Sequence, residues 1–198
     1  MCKKKKIRII TGLLSEQKVL TDRDVLSLHG FGPKESKTKA LELSSKNLSC
    51  IISFGFAGSL QENIKNGQIF LPKEIVWHDG KVCKISTSQR NKFKEKLNGT
   101  SFKSGRLFST NQIISNKTKK KCIYQKYNTA IVDMESESIQ KVAFEKKIPF
   151  LCLRVVLDES HLDIPEQFLK IYKPNKKLRI FKTLKLCLNN PSILIFFF

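Results

Sequence analysis

The feature of this chain that most constrains its fold is an almost uninterrupted apolar run over residues 148–157, which ends at Asp158. Such a run is typical of a β-strand that is covered on both faces, as in parallel sheets. A stretch with helical spacing of apolar residues precedes it from Glu135, and further strand-like runs lie at residues 7–10 and 48–54. Because strand-like and helix-like segments alternate, the pattern predicts a single-domain α/β fold with a central, largely parallel or mixed sheet flanked by helices.

Length, charge and cysteine usage narrow the class of protein. The chain has 198 residues, and we assign residues 1–165 to one domain and residues 166–198 to a basic, apolar C-terminal segment. The net charge is +20, but the lysines are spread along the chain without the aromatic-interleaved stripe of a nucleic-acid-binding protein. We therefore expect solvated lysines and no nucleic-acid partner. The six cysteines are scattered and form no C-x-x-C pair, which indicates a cytoplasmic protein with reduced thiols and no metal site.

The C-terminal segment has two interpretations. Leu178, Phe181, Leu184 and Leu188 recur at helical spacing with basic residues between them. This pattern is typical of an amphipathic helix that lies on an anionic membrane surface, but a last core helix and strand that cover the sheet would show it too. The sequence contains no apolar run of about eighteen residues, so we expect no membrane-spanning helix.

Three strand ends are candidates for a ligand site. In open α/β sheets, ligands bind beyond the carboxyl ends of the strands. The strand ends here are Thr11-Gly12, the stretch from Phe54 to Gly58, and Asp158. If they converge, they form one pocket that contains backbone donors and an acid.

Four motifs in this order carry a family resemblance: "IISFGFAGSL", "NGQIFLP", "VDMESESI" and "PFLCLRVVLD". Over residues 7–160 the chain resembles the purine nucleoside phosphorylase and nucleosidase superfamily. Within it, "TGLLSE", "SFGFAGSL" and "VDMES" look closest to the hopanoid-associated phosphorylases, which release adenine from adenosylhopane. The resemblance implies a nucleoside phosphorylase-like fold that needs no organic cofactor or metal.

The resemblance also implies roles for the acidic residues. Asp158 matches the family's general acid, which protonates the purine at N7 so that it can leave; a desolvated position would raise its pKa toward the working range. Glu135 matches the glutamate that binds the ribose hydroxyls, although the helix macrodipole would also favour an acid there. Met134 matches the methionine that packs on the sugar. Asp133 either contacts the substrate or only caps the helix.

The glycine-bearing segments are predicted to contact the substrate as well. Gly12, Gly55 and Gly58 would let the backbone approach a ligand closely, or would serve tight turns that need positive φ. Phe54 and Phe56 flank Gly55 in the same stretch. Phe56 replaces a small polar residue that is common in the family, which indicates a more apolar pocket.

Three departures from the family pattern affect the choice of nucleophile and the acid. Leu157 stands where nucleosidases of the family carry a serine before the acid, which leaves the orientation of Asp158 open. Family nucleosidases carry a run of acids after the first glycine, one of which activates water, and here only Glu16 is present. This difference favours phosphate as the nucleophile. The arginines that clamp phosphate in many phosphorylases of the family are not evident here, however, and Arg23 is only the best-placed candidate.

We therefore predict a pentosyltransferase, a nucleoside phosphorylase. It would cleave the N-glycosidic bond of an adenine nucleoside, adenosylhopane-like, with inorganic phosphate as co-substrate. The first alternative is a hydrolase of methylthioadenosine or S-adenosylhomocysteine on the same fold. The second is a non-catalytic relative that acts as a binding module. The expected partner is a small-molecule or lipid-linked nucleoside substrate. The sequence is also compatible with peripheral membrane contact and with a homo-oligomer.

Overall fold

The computed structural model describes residues 6–18, 20, 26–44, 48–97 and 99–164. Two sequence-based expectations lie outside these residues: the interpretation of segment 166–198 and the assignment of Arg23 as a phosphate ligand. Among the described helices, none has the length and apolar character needed to cross a lipid bilayer.

The described part of the chain forms nine strands and five helices. The strands are β1 (Lys6–Thr11), β2 (Leu26–His29), β3 (Leu48–Ser59), β4 (Ile69–Phe70), β5 (Glu74–Val76), β6 (Val82–Lys84), β7 (Arg106–Ser109), β8 (Ile131–Asp133) and β9 (Phe150–Asp158). The helices are α1 (Leu14–Gln17), α2 (Gly32–Leu43), α3 (Thr87–Lys96), α4 (Lys117–Tyr127) and α5 (Ser136–Glu145).

The strands form one mixed sheet in the order β2-β1-β3-β8-β7-β5-β6, with β9 and β4 branching from β3. β1 and β9 run parallel to β3, while the last residues of β3 pair antiparallel with β8. β3 is long enough to pair with three strands. β1 pairs with it as far as Phe54, where β1 ends at Thr11, and β8 then pairs with its last residues, Gly58 and Ser59. The predicted α/β class and its largely parallel or mixed sheet are confirmed.

The core lies between this sheet and its helices. The inward face of α5 consists of Ile139, Val142 and Ala143, which are all fully buried, as their spacing predicts. α5 also packs against α2. β9 is buried from Phe150 to Val156, as expected for a strand with both faces covered. This packing fixes the ends of β1, β3, β8 and β9 relative to one another.

Two elements differ from the sequence-based expectation. The segment "FGFAGSL" is not a turn: β3 continues through it to Ser59 because β9 pairs with it as far as Gly58. Neither Gly55 nor Gly58 has the positive φ that a tight turn would require. The segment expected to form one strand at "GQIFLPKEIVW" instead forms β4 and β5, which pair with different neighbours.

Candidate active site

Four carboxylates line one cavity of about 100 Å³ at the ends of these strands: Glu16, Asp133, Glu135 and Asp158. The three strand ends expected to converge do meet here, since Gly12, Gly58 and Asp158 all lie on the cavity wall. The register explains this meeting, because Gly58 pairs with Asp158 on β9 and with Val132 on β8.

Glu16 is the carboxylate whose importance was underestimated from the sequence. It lies on α1, is 3% exposed, and accepts hydrogen bonds from the backbone N–H groups of Leu13 (2.7 Å) and Phe56 (2.9 Å). Burial raises its pKa to about 7, although these two N–H groups and Arg154 oppose the rise. A carboxylate in this state exchanges protons near neutral pH.

Glu135 lies immediately before α5 and lines the same cavity as Glu16. Its Oε1 accepts a hydrogen bond from the backbone N–H of Gly32 at 3.1 Å, which ties it to the start of α2. Desolvation and the neighbouring Asp133 carboxylate both raise the pKa of Glu135, while Arg154 lowers it. Met134, the residue before Glu135, also lies on the cavity wall.

Asp133 is held by the buried Arg154, whose guanidinium donates from Nε (2.9 Å) and Nη2 (2.6 Å) to Oδ2. The same oxygen accepts a hydrogen bond from the backbone N–H of Ser136 at 3.1 Å. Asp133 therefore satisfies a backbone donor at the start of α5, which is one of the two roles expected for it. Arg154 Nη2 also donates to Ser53 at 2.7 Å on β3. Asp133 Oδ1, in contrast, is buried and has no hydrogen-bond partner among the described residues. Because such an atom normally has a partner, Oδ1 is a candidate acceptor for a ligand.

Asp158 is one-fifth exposed and forms an ion pair with Lys120 on α4, with 2.5 Å between Lys120 Nζ and Asp158 Oδ2. Desolvation raises the pKa of Asp158, and the Lys120 ammonium opposes that rise. The sequence-based expectation of an acid with a raised pKa therefore has a physical cause in the structure. Lys120 itself is fully buried and was not anticipated from the sequence.

Three glycines make room for three of these carboxylates. A Cβ atom on Gly12 would lie 3.1 Å from the Glu135 carboxyl, and one on Gly55 would lie 2.9 Å from Glu16 Oε1. A Cβ on Gly58 would lie 3.0 Å from both carboxyl oxygens of Asp158. The groups that closely approach these glycines in the structure are the protein's own acids, and contact of the glycines with a ligand stays a prediction.

Replacing one of these glycines should reduce activity more than stability. We expect Gly55→Ala and Gly58→Ala to lower turnover by about 10²-fold, because a displacement of about 1 Å at a catalytic group has that effect. Gly105→Ala is the matched control, since its methyl group would meet Phe70 Cζ (3.3 Å) and Ala130 Cβ (3.4 Å) away from the cavity. Steady-state kinetics and melting curves of all three variants test this, and full activity in Gly58→Ala would contradict it.

The rest of the wall is largely apolar and includes Phe31, Phe56, Ile114 and Leu157. Phe54 does not line the cavity: it is 7% exposed and belongs to the hydrophobic core, so its assignment as a substrate contact is wrong. Two positions apart on β3, Phe54 and Phe56 lie on the same face of the strand, but Phe56 is nearer the end of the strand, where the core gives way to the cavity. Among the described lining residues there is no lysine, arginine or histidine.

The buried pair of Arg154 and Asp133 should matter strongly for stability. We expect Arg154→Leu to lower the free energy of unfolding by about 3–5 kcal/mol, because it leaves the Asp133 carboxylate buried without its counter-charge. The control is Arg106→Leu, which breaks a partly exposed pair with Glu74 (2.7 Å) and should cost only about 0–1 kcal/mol. Urea unfolding of both variants measures the difference, and equal losses would contradict the assignment.

Comparisons with known proteins identify the family of the chain. The model of the phosphorylase superfamily matches residues 2–177. A 5'-methylthioadenosine/S-adenosylhomocysteine nucleosidase of Buchnera aphidicola subsp. Baizongia pistaciae is 27% identical over 195 residues, covering 87% of this chain and 77% of that protein.

Solved structures show the same fold at lower identity. The 5'-methylthioadenosine/S-adenosyl homocysteine nucleosidase of Campylobacter jejuni superposes with a TM-score of 0.75 at 15% identity, covering 98% of this chain and 97% of that one. The futalosine hydrolase of Helicobacter pylori superposes with a TM-score of 0.72 at 18% identity, covering 79% and 86%. From the family match over most of its length, the chain belongs to the phosphorylase superfamily and is an enzyme of its nucleoside phosphorylase and nucleosidase group.

Proposed function

We propose that this protein is a nucleosidase that hydrolyses the N-glycosidic bond of an adenine nucleoside carrying a thioether at the 5′ position, such as methylthioadenosine or S-adenosylhomocysteine. The observation that carries the proposal is the position of Glu16, a buried carboxylate with a pKa of about 7 in the same cavity as Asp158. The name of the Buchnera relative supports the same activity. This was the alternative interpretation of the sequence, and it now replaces phosphorolysis as the main one.

Asp158 is the proposed general acid. A purine leaves poorly as an anion, and protonation at N7 removes that difficulty. Asp158 sits at the end of β9 with a raised pKa, so a fraction of it is protonated at higher pH than an ordinary aspartate. As the C1′–N9 bond breaks, its electron pair passes to the purine and the Asp158 proton passes to N7.

Glu16 is the proposed base for the attacking water. A base works best when its pKa lies near the working pH, and the pKa of about 7 meets that condition. Water would attack C1′ while Glu16 accepts one of its protons. The sequence favoured phosphate because, of the run of acids that family nucleosidases carry, only Glu16 is present. The placement of Glu16 in the cavity removes the basis for that preference.

The charges around the cavity also disfavour phosphate. Four carboxylates line it, and the described lining residues include no cation. The two nearest cationic groups are already engaged, since Arg154 binds Asp133 and Lys120 binds Asp158. Within the part of the chain that the structure describes, a phosphate anion would therefore meet like charge and no unengaged cation at the cavity wall, which is unfavourable in a desolvated site.

The ribose is proposed to bind between Glu135 and Asp133. Carboxylate oxygens accept hydrogen bonds from hydroxyl groups, and Asp133 Oδ1 is a buried acceptor that has no partner among the described residues. A ribose hydroxyl would satisfy it. Glu135, when ionised, would also stabilise the positive charge that develops on the sugar at the transition state.

The apolar wall is proposed to receive the 5′ substituent. Phe56, Ile114 and Leu157 offer no hydrogen-bonding side-chain groups, so they suit a thioether or another apolar substituent. An adenosylhopane-like substrate would also need such a wall, but the nucleosidase relatives favour the smaller thioether.

A substrate panel tests the proposal. The protein would be incubated with methylthioadenosine, S-adenosylhomocysteine, adenosine and inosine, and the released base quantified by chromatography. We expect adenine from the two thioethers at the highest kcat/KM, with inosine slowest. The Asp158→Asn protein, purified in parallel, measures any contaminating nucleosidase. Absence of base release from all four would sink the proposal and favour the non-catalytic alternative.

A further inference from the structure

Lys120 occupies an environment in which lysine is rarely found. It is fully buried, whereas the adjacent Lys119 and Lys121 on α4 are exposed. A lysine ammonium is almost never completely buried unless it is paired. Here Nζ donates to Asp158 Oδ2 at 2.5 Å and to the backbone carbonyls of Glu159 (2.8 Å) and Leu162 (3.0 Å). Its three protons therefore have three acceptors, and the position of the ammonium is fixed.

This arrangement distinguishes the two oxygens of Asp158. An ammonium group only donates hydrogen bonds, so Oδ2 must act as an acceptor toward Lys120 whether or not Asp158 carries a proton. Within the described part of the chain, Oδ1 accepts no hydrogen bond. A proton on Asp158 is therefore left to Oδ1. Gly58 packs against the carboxyl group from β3, since a Cβ there would lie 3.0 Å from each oxygen.

We propose that Lys120 is a positioning residue for Asp158: its ammonium orients the carboxyl group, places the transferable proton on Oδ1, and stabilises the carboxylate that remains after transfer. This inference rests on the proposed role of Asp158 as general acid. In the step, the Oδ1–H bond breaks and the purine N7–H bond forms. The resulting Asp158 anion then lies beside an ammonium group that needs no rearrangement to stabilise it.

The sequence around Asp158 supports a need for such a partner. Leu157 directly precedes the acid, and a leucine side chain cannot donate a hydrogen bond to it. Other charged groups near Asp158 are directed elsewhere: Glu159 pairs with Lys65 (3.1 Å) and with His161 (3.7 Å). Three further carboxylates line the same cavity, those of Glu16, Asp133 and Glu135, but among the described residues Lys120 is the one whose charge shifts the pKa of Asp158.

The backbone bonds of Lys120 extend its effect to the segment that follows β9. The carbonyls of Glu159 and Leu162 are held to α4 by the same ammonium. The next residues are held to the same region, because Asp163 accepts from the backbone N–H of Lys117 (2.7 Å) and Ile164 donates to the Ser115 carbonyl (2.8 Å). Asp158 is therefore fixed through its side chain and through the chain that follows it.

The test compares Lys120→Met with Lys121→Met, an exposed neighbour on the same helix. For Lys120→Met we expect kcat on methylthioadenosine to fall about 10²-fold with KM within a few-fold of wild type. The basic limb of the pH profile should move up by about one unit or more, because the acid loses a nearby positive charge. Lys121→Met should match wild type. A fall in kcat with an unmoved basic limb would mean a merely structural role, and it would overturn the inference, as would unchanged kinetics.

A second measurement covers the case in which Lys120→Met does not fold. In the wild-type protein labelled with ¹⁵N-lysine, the Lys120 ammonium resonance should shift as Asp158 titrates, and this shift should vanish in Asp158→Asn. An ammonium resonance that does not respond to Asp158 would overturn the inference. Failure of the proposed function is recognised separately, because the wild-type protein would then release no adenine while the NMR titration still reports on the pair.

Discussion

Asp158→Asn is expected to release adenine about 10²–10⁴-fold more slowly than wild type, the range that a general acid typically contributes. An asparagine keeps the shape of the side chain but cannot deliver a proton to N7. It also leaves the Lys120 ammonium without a counter-charge, so the melting temperature should fall. Activity is therefore compared well below the melting transition of the variant.

The matched control for this variant is Asp163→Asn. Asp163 is an exposed carboxylate on the same segment, and it accepts a hydrogen bond from the backbone N–H of Lys117 at 2.7 Å. An asparagine oxygen can still accept this hydrogen bond, so the replacement keeps the segment in place and should leave turnover near the wild-type value. Equal losses in both variants would place the effect in the segment rather than in the acid, and full turnover by Asp158→Asn would remove the assignment altogether.

Glu16→Gln is expected to lower hydrolysis by a similar factor of about 10²–10⁴ because the attacking water loses its base. In wild type, kcat should rise as Glu16 loses its proton, with an acid limb near its pKa of about 7. The variant should lose that limb along with most of its rate. Glu35→Gln is the control, since Glu35 is exposed and also accepts a backbone N–H, from Phe31 at 3.0 Å. An unchanged acid limb in Glu16→Gln would contradict the role.

The same residue makes a prediction for stability against pH. The folded-state pKa of Glu16, about 7, lies above the ordinary value of 4.5. Between those two values the folded chain binds more protons than the unfolded chain, so the Glu16 contribution to the free energy of unfolding falls as pH rises. Above about pH 7 its contribution becomes constant. The stability of Glu16→Gln relative to wild type should therefore increase across this window, which urea unfolding at several pH values measures.

The sequence predicted the fold well where the pattern is local. The buried strand β9 follows directly from an almost continuous apolar run, and the amphipathic helix α5 follows from apolar residues with a period of 3.6. The path of β3 through Gly55 and Gly58 was not predicted, because glycines usually mark turns. Pairing with β9 from Ile51 to Gly58, and with β8 at Gly58 and Ser59, keeps that segment extended.

The site was predicted where its residues belong to motifs, and missed where they depend on distant partners. Asp158, Glu135 and Met134 were found because they stand in recognisable motifs, and all three lie on the cavity wall. Arg154 lies inside an apolar strand, and its role appears only when Asp133 is brought opposite it. Lys120 is one of several lysines in "KTKKK", and only the phase of α4 turns this one inward.

The central claim, that water rather than phosphate attacks the sugar, is tested most directly by the product formed in phosphate buffer. Methylthioadenosine would be turned over by the wild-type protein in H₂¹⁸O that contains inorganic phosphate, and the sugar product analysed by mass spectrometry. Hydrolysis predicts free methylthioribose with one ¹⁸O at C1 and a rate that does not depend on phosphate. Formation of methylthioribose 1-phosphate, with turnover that requires phosphate, would contradict the account.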